Sequence, residues 1–312
     1  MTMNTRAAFA AGDHATRPNG RIRNAITVDV EDYFHVEAFA RHIDRGTWDR
    51  YEVRVVDNTN RLLDIFDGQQ VRATFFVLGW VAQHYPTLIK DIAARGHEVA
   101  CHGWSHRLVY KQSPQEFHDE SRRAKHLLED LIGAPVLGYR AASYSIVDRS
   151  LWALDVLAEL GFQYDSSIFP VHHDNYGIPD ARIEPYRHRT PAGHGIVEFP
   201  LTVKRIFGYR LPMAGGGYFR LFPYHVTRSA LASINRDERR PFIFYLHPWE
   251  IDPAQPRVRA GWFSRFRHYN NLAKCEDRLR RLLADFAFTT AVDVLSELRL
   301  MGRDSAATAA RA

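Results

Sequence analysis

The chain has 312 residues, 46% of them hydrophobic and 12% aromatic, fractions that are typical of a folded globular protein and exclude a disordered chain. No run of 18 or more apolar residues occurs in it, so no transmembrane helix is predicted. The net charge is +5, but the sequence carries no recognisable nucleic-acid-binding module, and we expect no nucleic-acid partner.

The ends of the chain differ in composition from its middle. Residues 1–21 lack the continuous apolar core of a secretory signal peptide, and we expect a disordered leader on a cytoplasmic protein. One folded domain is expected over residues 22–300, followed by a disordered tail at 301–312. Two cysteines, Cys101 and Cys275, are too few for a disulfide framework, and both are predicted to be buried. Arginines make the last third of the chain basic. They are interpreted either as a solvated helix face or as a contact surface for an anionic polymer.

Apolar runs alternate with helical patterns along most of the chain, which predicts a parallel sheet built from repeated strand and helix units. A capping box at Ser113 to Glu116 marks one helix start, and Gly133 marks its end. Residues 166–217 are rich in Pro, Gly and His, and we predict long loops there. The predicted strands cover residues 26–34, 73–78, 97–103, 135–140, 162–165, 196–199 and 241–246. The predicted helices cover residues 58–66, 81–95, 113–132, 148–160, 224–234 and 271–286, before a short strand and helix at 288–298.

Ionisable side chains follow five of the predicted strands. The C-terminal ends of parallel barrel strands meet at one face, where active sites are built, so these side chains should converge. The four-residue spacing of His102 and His106 alone indicates little, because a chain of this length with 16 histidines contains about one such pair by chance. The residues concerned are Asp29, Glu31 and Asp32 after the first strand, His102 and His106 after the third, and then Arg140, Asp165 and His247.

The motifs at these strand ends resemble those of the polysaccharide deacetylase family, also known as the NodB-homology or carbohydrate esterase family 4 proteins. The shared motifs lie between residues 22 and 252: the acids after the first strand, His-Gly-x-Ser-His, Gly-Tyr-Arg, Tyr-Asp-Ser-Ser and Leu-His-Pro. Asp-Val-Glu-Asp-Tyr-Phe-His and His-Pro-Trp-Glu-Ile-Asp are similar to a branch associated with exosortase-linked exopolysaccharide loci. The resemblance implies an α/β fold, a distorted (β/α)7 TIM-like barrel with a C-terminal helical extension over about residues 255–300.

The resemblance also implies a divalent metal, with Zn²⁺ expected first and Co²⁺ or Ni²⁺ as alternatives. His102 and His106 match the family's two histidine ligands. The family's usual metal carboxylate position is Val30 here, so a neighbouring acid must be the third ligand. Glu31 would lie on the same face of an extended strand as Asp29, two residues earlier, and is the first candidate for this ligand. Asp32 is the second.

Four further positions match catalytic residues of the family. Asp29 matches the general base, and Arg140 matches the arginine that orients it. His247 matches the general acid, and Asp165 matches the residue that holds the catalytic histidine. The implied substrate-binding residues are Ser143, Tyr144 and Trp249, of which the last is either a wall of the sugar pocket or a core residue.

The function implied by these matches is metal-dependent hydrolysis of N-acetyl groups on amino sugars. The expected substrate partner is an N-acetylated polysaccharide or oligosaccharide, in an exopolysaccharide or its lipid-linked precursor. Two alternatives stay open: an allantoinase-like hydrolase of a small cyclic amide, and an inactive barrel that binds polysaccharide. The sequence does not fix the oligomeric state.

Overall fold

The computed structural model describes residues 20–173, 176–189 and 193–302. The predicted leader and tail lie outside these ranges, except for residues 20, 21, 301 and 302. Within these ranges, no helix is both long enough and apolar enough to cross a membrane. Cys101 and Cys275 are buried free thiols, as predicted.

The described residues form strands and helices in the following order. The strands are β1 (Arg23–Val30), β2 (Thr74–Val77), β3 (Glu98–Cys101), β4 (Gly138–Tyr139), β5 (Tyr164–Asp165), β6 (Tyr186–Arg189), β7 (Gly195–Glu198), β8 (Val203–Ile206), β9 (Tyr209–Pro212), β10 (Ile243–Leu246) and β11 (Ala287–Thr289). The α-helices are α1 (Val55–Gly68), α2 (Gly79–His84), α3 (Pro86–Ala94), α4 (Pro114–Ile132), α5 (Trp152–Glu159), α6 (Gly216–Leu221), α7 (Tyr224–Arg236), α8 (Trp262–Tyr269), α9 (Cys275–Asp285) and α10 (Ala291–Glu297). Short 3₁₀ helices include Glu37–Phe39, Arg45–Arg50, Ala142–Tyr144, Pro248–Ile251 and Leu272–Lys274.

A mostly parallel sheet organises the molecule. Its parallel strands follow the order β10-β1-β2-β3-β4-β5-β7, and β6 pairs antiparallel with the outer edge of β7. Val28 is in register with Phe75 on one side and with Leu246 on the other. This register brings the C-terminal ends of β10, β1 and β2 to one level. The α/β fold predicted from the sequence is therefore confirmed.

The parallel sheet curves around a common interior. Side chains from β1, β2, β3, β5, β7 and β10 share one apolar cluster, which includes Ala25, Phe76, Ala100, Tyr164, Val197 and Ile243. Thr202 follows β7 and reaches the first residue of β10: its Oγ1 donates to the carbonyl of Ile243 at 2.7 Å and accepts from the Ile243 N–H at 2.9 Å. Helices α1 to α7 and α9 bury apolar side chains in a second cluster, against the other face of the strands, whereas α10 packs in the first cluster.

The predicted capping box is confirmed. Ser113 Oγ accepts from the Glu116 N–H at 3.2 Å, and Glu116 Oε2 accepts from the Ser113 N–H at 2.8 Å. Helix α4 then ends at Gly133, whose φ of 68° is left-handed, a conformation that costs glycine little.

Three features differ from the predicted elements. The single helix predicted over residues 81–95 is wrong, because Pro86 begins a new helix and α2 ends before it. The loop segment 166–217 contains β6 and the hairpin β8–β9. The extension over about residues 255–300, which the resemblance implies to be helical, also contains β11, the short strand predicted from the sequence, which pairs in parallel with the start of β1.

Candidate active site

Asp29 and Arg140 form a buried ion pair at the C-terminal end of the parallel strands. Asp29 is the penultimate residue of β1, and Arg140 directly follows β4. Arg140 Nη1 donates to Asp29 Oδ1 at 2.6 Å and to Thr27 Oγ1 at 2.8 Å, while its Nε donates to the Ser166 carbonyl at 3.1 Å. Burial opposes the charge of the guanidinium, but Asp29 keeps the pKa of Arg140 above its ordinary value. The pair therefore fixes the orientation of the Asp29 carboxylate and leaves its second oxygen for other contacts.

Glu31, His102 and His106 form a buried cluster beside this pair. One potential ligand atom from each lies within 4.8 Å of the other two, and His106 Nε2 lies 2.9 Å from Glu31 Oε2. Two imidazoles and one carboxylate are a common donor set for a catalytic zinc ion, which needs three protein ligands and one open position. His106 has a left-handed φ of 52°, a costly conformation that is often found at functional sites.

The hydrogen bonds of this cluster fit a bound divalent ion. His102 Nδ1 donates to the Arg140 carbonyl at 2.8 Å, so the lone pair of Nε2 is available to a metal. Glu31 Oε2 is buried and has no well-aligned hydrogen-bond donor among the residues that the structure describes, although His106 Nε2 lies 2.9 Å from it; a cation bound by both atoms would account for this arrangement. Burial would raise the pKa of Glu31, but His106, His247 and His102 hold it well below its usual range. The carboxylate is therefore ionised.

His247 reaches the same place from β10. It directly follows that strand, and its Nε2 lies 3.3 Å from Glu31 Oε1 and 3.9 Å from Asp29 Oδ2. Its Nδ1 donates to Glu250 Oε2 at 3.1 Å, and Glu250 Oε1 accepts from Arg220 Nε at 2.6 Å. Burial lowers the pKa of His247, but the hydrogen bond to Glu250 and the nearby carboxylates raise it to about 9. At neutral pH the ring carries a proton on Nε2, next to the acidic residues.

The structure contradicts the predicted contact between Asp165 and the histidine. Asp165 Oδ1 accepts from the Ser167 hydroxyl at 2.6 Å, and Oδ2 accepts from the Ser167 N–H at 3.0 Å. It pairs across the sheet with Glu198, and burial raises the pKa of Asp165 to about 6. The carboxylate turns back onto its own loop because the Ser167 donors are two residues away. Glu250 holds His247 instead.

Asp32 does not join Glu31, His102 and His106, the candidate metal-binding cluster. Its Oδ2 accepts from the N–H groups of Arg54 and Val55, each at 2.7 Å, and its Oδ1 accepts from the Tyr33 N–H at 2.8 Å. Val55 is the first residue of α1, so Asp32 supplies acceptors to the start of that helix. The structure thus places Glu31, and not Asp32, with the two histidines.

The three residues assigned to substrate binding occupy different environments. Ser143 and Tyr144 have left-handed φ values of 49° and 54° in the loop after β4, and the Tyr144 hydroxyl donates to Asp29 Oδ2 at 3.4 Å. Trp249 is 5% exposed, and its ring stacks between His247 at 4.9 Å and His268 at 4.1 Å. It is a core residue that supports His247, so the alternative of a sugar-pocket wall is wrong.

Sequence reasoning did not assign a role to Glu250 or Arg220. Glu250 carried a signal, since it lies three residues after His247 and accepts from the His247 backbone N–H at 3.0 Å, as in a capping box. Arg220 carried none, because it lies in α6 after an irregular segment.

Comparison with known sequences agrees with this geometry. The sequence profile described as polysaccharide deacetylase matches residues 43–164. Residues 43–164 are therefore similar to the polysaccharide deacetylase family. A second profile, described as a domain of unknown function, DUF3473, matches residues 166–296. The polysaccharide deacetylase profile thus includes both histidines of the metal-binding cluster, whereas His247, Glu250 and Arg220 lie in the second match.

Curated relatives match part of the chain. A chitooligosaccharide deacetylase of Bradyrhizobium sp. is 35% identical over 100 residues, which are 32% of this chain and 43% of the relative. A peptidoglycan-N-acetylglucosamine deacetylase of Bacillus cereus is 27% identical over 148 residues, which are 44% of this chain and 52% of the relative. The matched part is about half of each relative's length.

Solved structures match over almost the whole chain. One match is a Mycobacterium smegmatis protein described as a polysaccharide deacetylase, with a TM-score of 0.59 and 21% identity. The superposition covers 96% of this chain and 95% of the M. smegmatis chain. The Puue allantoinase covers 90% of this chain, with 91% of that chain covered, a TM-score of 0.58 and 14% identity. At these identities both matches concern the fold alone.

Proposed function

We propose that the protein is a metal-dependent deacetylase that hydrolyses N-acetyl groups of amino sugars in an exopolysaccharide or its lipid-linked precursor. The observation that carries the proposal is the convergence of Glu31, His102 and His106 beside Asp29 and His247, the set of ligands, base and acid that amide hydrolysis needs. A divalent ion held by the first three residues, Zn²⁺ before Co²⁺ or Ni²⁺, would polarise the acetamide carbonyl and acidify a water molecule.

The residues of the chain divide the proton transfers between them. Asp29 takes a proton from the attacking water through Oδ2, since Arg140 occupies Oδ1. His247 Nε2 donates a proton to the leaving amine as the carbon–nitrogen bond breaks. Acetate and a free amino sugar are the products. The negative charge that develops on the carbonyl oxygen is stabilised by a backbone N–H near Ser143.

His247 and His102 are each held by a fixed partner. Glu250 orients His247 through Nδ1, as the carboxylate of a catalytic triad orients its imidazole. Arg220 holds Glu250 in turn, and the Arg140 carbonyl holds the ring of His102. Such rigid support allows acid and base to act without reorganisation during the reaction.

The allantoinase-like enzyme and the inactive barrel predict different results in an assay of acetate release. An allantoinase-like enzyme would hydrolyse a small cyclic amide and release no acetate. An inactive barrel would bind polysaccharide and hydrolyse nothing; the complete set of base, ligands and acid argues against it. The cytoplasmic location stays a prediction, and in that location a lipid-linked or nascent saccharide would be the accessible form of the substrate.

Two variants test the proposal with independent readouts. Acetate release from N-acetylated oligosaccharides is measured together with bound metal. His102→Ala should lose both activity and metal, because it removes a ligand. Asp29→Asn should lose activity and retain the metal, because it removes only the base. Full acetate release by either variant, or none by the metal-loaded wild type, would overturn the assigned roles.

A further inference from the structure

Helix α8 carries an exposed aromatic face that the catalytic site does not use. Trp262, Phe263 and Phe266 are 79%, 56% and 50% exposed. They occupy positions i, i+1 and i+4, so they lie on one side of the helix. A contiguous patch of exposed aromatic side chains often marks a contact surface, whereas single exposed apolar residues are normal on a protein surface.

The opposite side of α8 is anchored firmly in the protein. His268 is buried, its ring stacks on Trp249 at 4.1 Å, and its Nε2 bonds to Gln255 Oε1 at 2.7 Å. Arg220 Nη1 donates to the His268 carbonyl at 2.8 Å. Because Trp249 also stacks on His247 at 4.9 Å, the aromatic face is held on the far side of a short ring stack from the catalytic histidine.

The charge of this part of the chain is one-sided. Between Asp252 and Glu276 there is no acidic residue, whereas the same stretch has five basic ones. The arginines before and within α8 are exposed. The basic residues are Arg257, Arg259, Arg265, Arg267 and Lys274.

We propose that α8 docks the protein on an anionic membrane surface, with its aromatic face among the lipid headgroups and its arginines against their phosphates. Exposed Trp and Phe flanked by arginines on one short helix are the composition of an interfacial amphipathic helix. An uncharged sugar chain offers these arginines no counter-charge. The outer face of a helix is also convex, which suits a flat surface better than an extended polymer.

Vesicle co-sedimentation of the full chain tests this proposal without any enzymatic readout. The protein should sediment with vesicles of phosphatidylglycerol and phosphatidylethanolamine and not with pure phosphatidylcholine vesicles. The double variant Arg259→Gln/Arg265→Gln should bind the anionic vesicles roughly 25-fold more weakly, at about fivefold for each charge near the surface. Trp262→Ser/Phe266→Ser should bind at least about tenfold more weakly, because the buried apolar area is lost.

Matched changes elsewhere separate this helix from general charge or stickiness. Arg122→Gln/Arg236→Gln removes two exposed arginines from other helices, and Phe207→Ser removes an aromatic that is 96% exposed on the β8–β9 turn; both should bind like the wild type. Absence of binding to anionic vesicles, or equal losses in these controls, would overturn the proposal. So would a self-associated species, or retention on an anionic or N-acetylated polysaccharide column, that the α8 aromatic variant abolishes.

Discussion

Glu250 holds the imidazole of His247, and Arg220 holds Glu250 in turn. The sequence position of His247 predicts that it follows a buried strand, and that placement is confirmed. Its partner could not be predicted with the same ease, because Asp165 and Glu250 are both acids close to a strand end. Only the local geometry decides between them: Ser167 satisfies Asp165, whereas Glu250 faces Nδ1 of the imidazole. Arg220 comes from a helix with no periodic signal, so its contribution required the folded chain.

Glu250→Gln should therefore lower kcat more than Asp165→Asn does. Loss of the carboxylate charge weakens the support of the His247 cation, and we expect a fall of about 10- to 100-fold in kcat, because the general acid stays in place and only part of its usual contribution of about 10²- to 10⁴-fold is lost. The metal content should not change, because Glu250 is not a ligand. Steady-state kinetics, metal analysis and thermal unfolding of both variants check this. A larger kcat loss in Asp165→Asn than in Glu250→Gln would contradict the pairing described here.

The connection from β1 to α1 explains why adjacent acids have separate roles. Period-two alternation indicates that Glu31 shares a face with Asp29, and the structure places it with the histidines. The contacts of Asp32 depend on the start of α1, more than 20 residues later, which no local pattern reports. The proline that separates α2 from α3 was visible in the sequence, whereas β6 and the β8–β9 hairpin lack a clear apolar alternation.

Matched variants should separate the two acids. Glu31→Gln should weaken metal binding strongly, because it removes a ligand charge, with a small effect on the folded apoprotein. Asp32→Asn should keep the metal and lower the free energy of unfolding by about 1–3 kcal/mol, since one acceptor of backbone N–H groups is lost. Metal titration and chemical denaturation measure the two effects. Metal loss confined to Asp32→Asn would reverse the assignment.

At the end of the sheet opposite the active site, Glu98 links two strands to a helix near the C-terminal end of the described residues. Glu98, the first residue of β3, accepts from the hydroxyls of Thr74 at 2.6 Å and Tyr164 at 2.7 Å, and from the Val292 N–H of α10 at 3.2 Å. It therefore joins β2, β5 and the C-terminal helix. The sequence predicted a short helix near this position but not its contact with the interior of the sheet, which depends on the pairing of β11 with β1.

These contacts of Glu98 should make stability depend on pH. Burial raises the pKa of Glu98 from 4.5 to about 7, although three hydrogen bonds lower it in part. The stabilising contribution of the protonated carboxyl is complete below pH 4.5 and is lost as the pH rises through about 7. This group should account for a loss of roughly 2–4 kcal/mol between pH 5 and pH 8. Glu98→Gln should show a smaller loss by urea denaturation, whereas exposed Glu159→Gln should follow the wild type. Equal losses in all three proteins would contradict the assignment.

For the molecule as a whole, the proposed docking of α8 on a membrane would hold the active site close to lipid-linked saccharides. Membrane binding and hydrolysis remain separable, because the α8 aromatics do not belong to the metal-binding cluster.

In the proposed mechanism, Glu31, His102 and His106 hold an ion without which the site cannot hydrolyse an acetamide. The direct measurement is acetate release from N-acetylglucosamine oligosaccharides by the full chain, before chelation, after chelation and after addition of Zn²⁺. Chelation should abolish the release of acetate, and one equivalent of ion per chain should restore it. Acetate release that persists in the metal-free protein would contradict this mechanism.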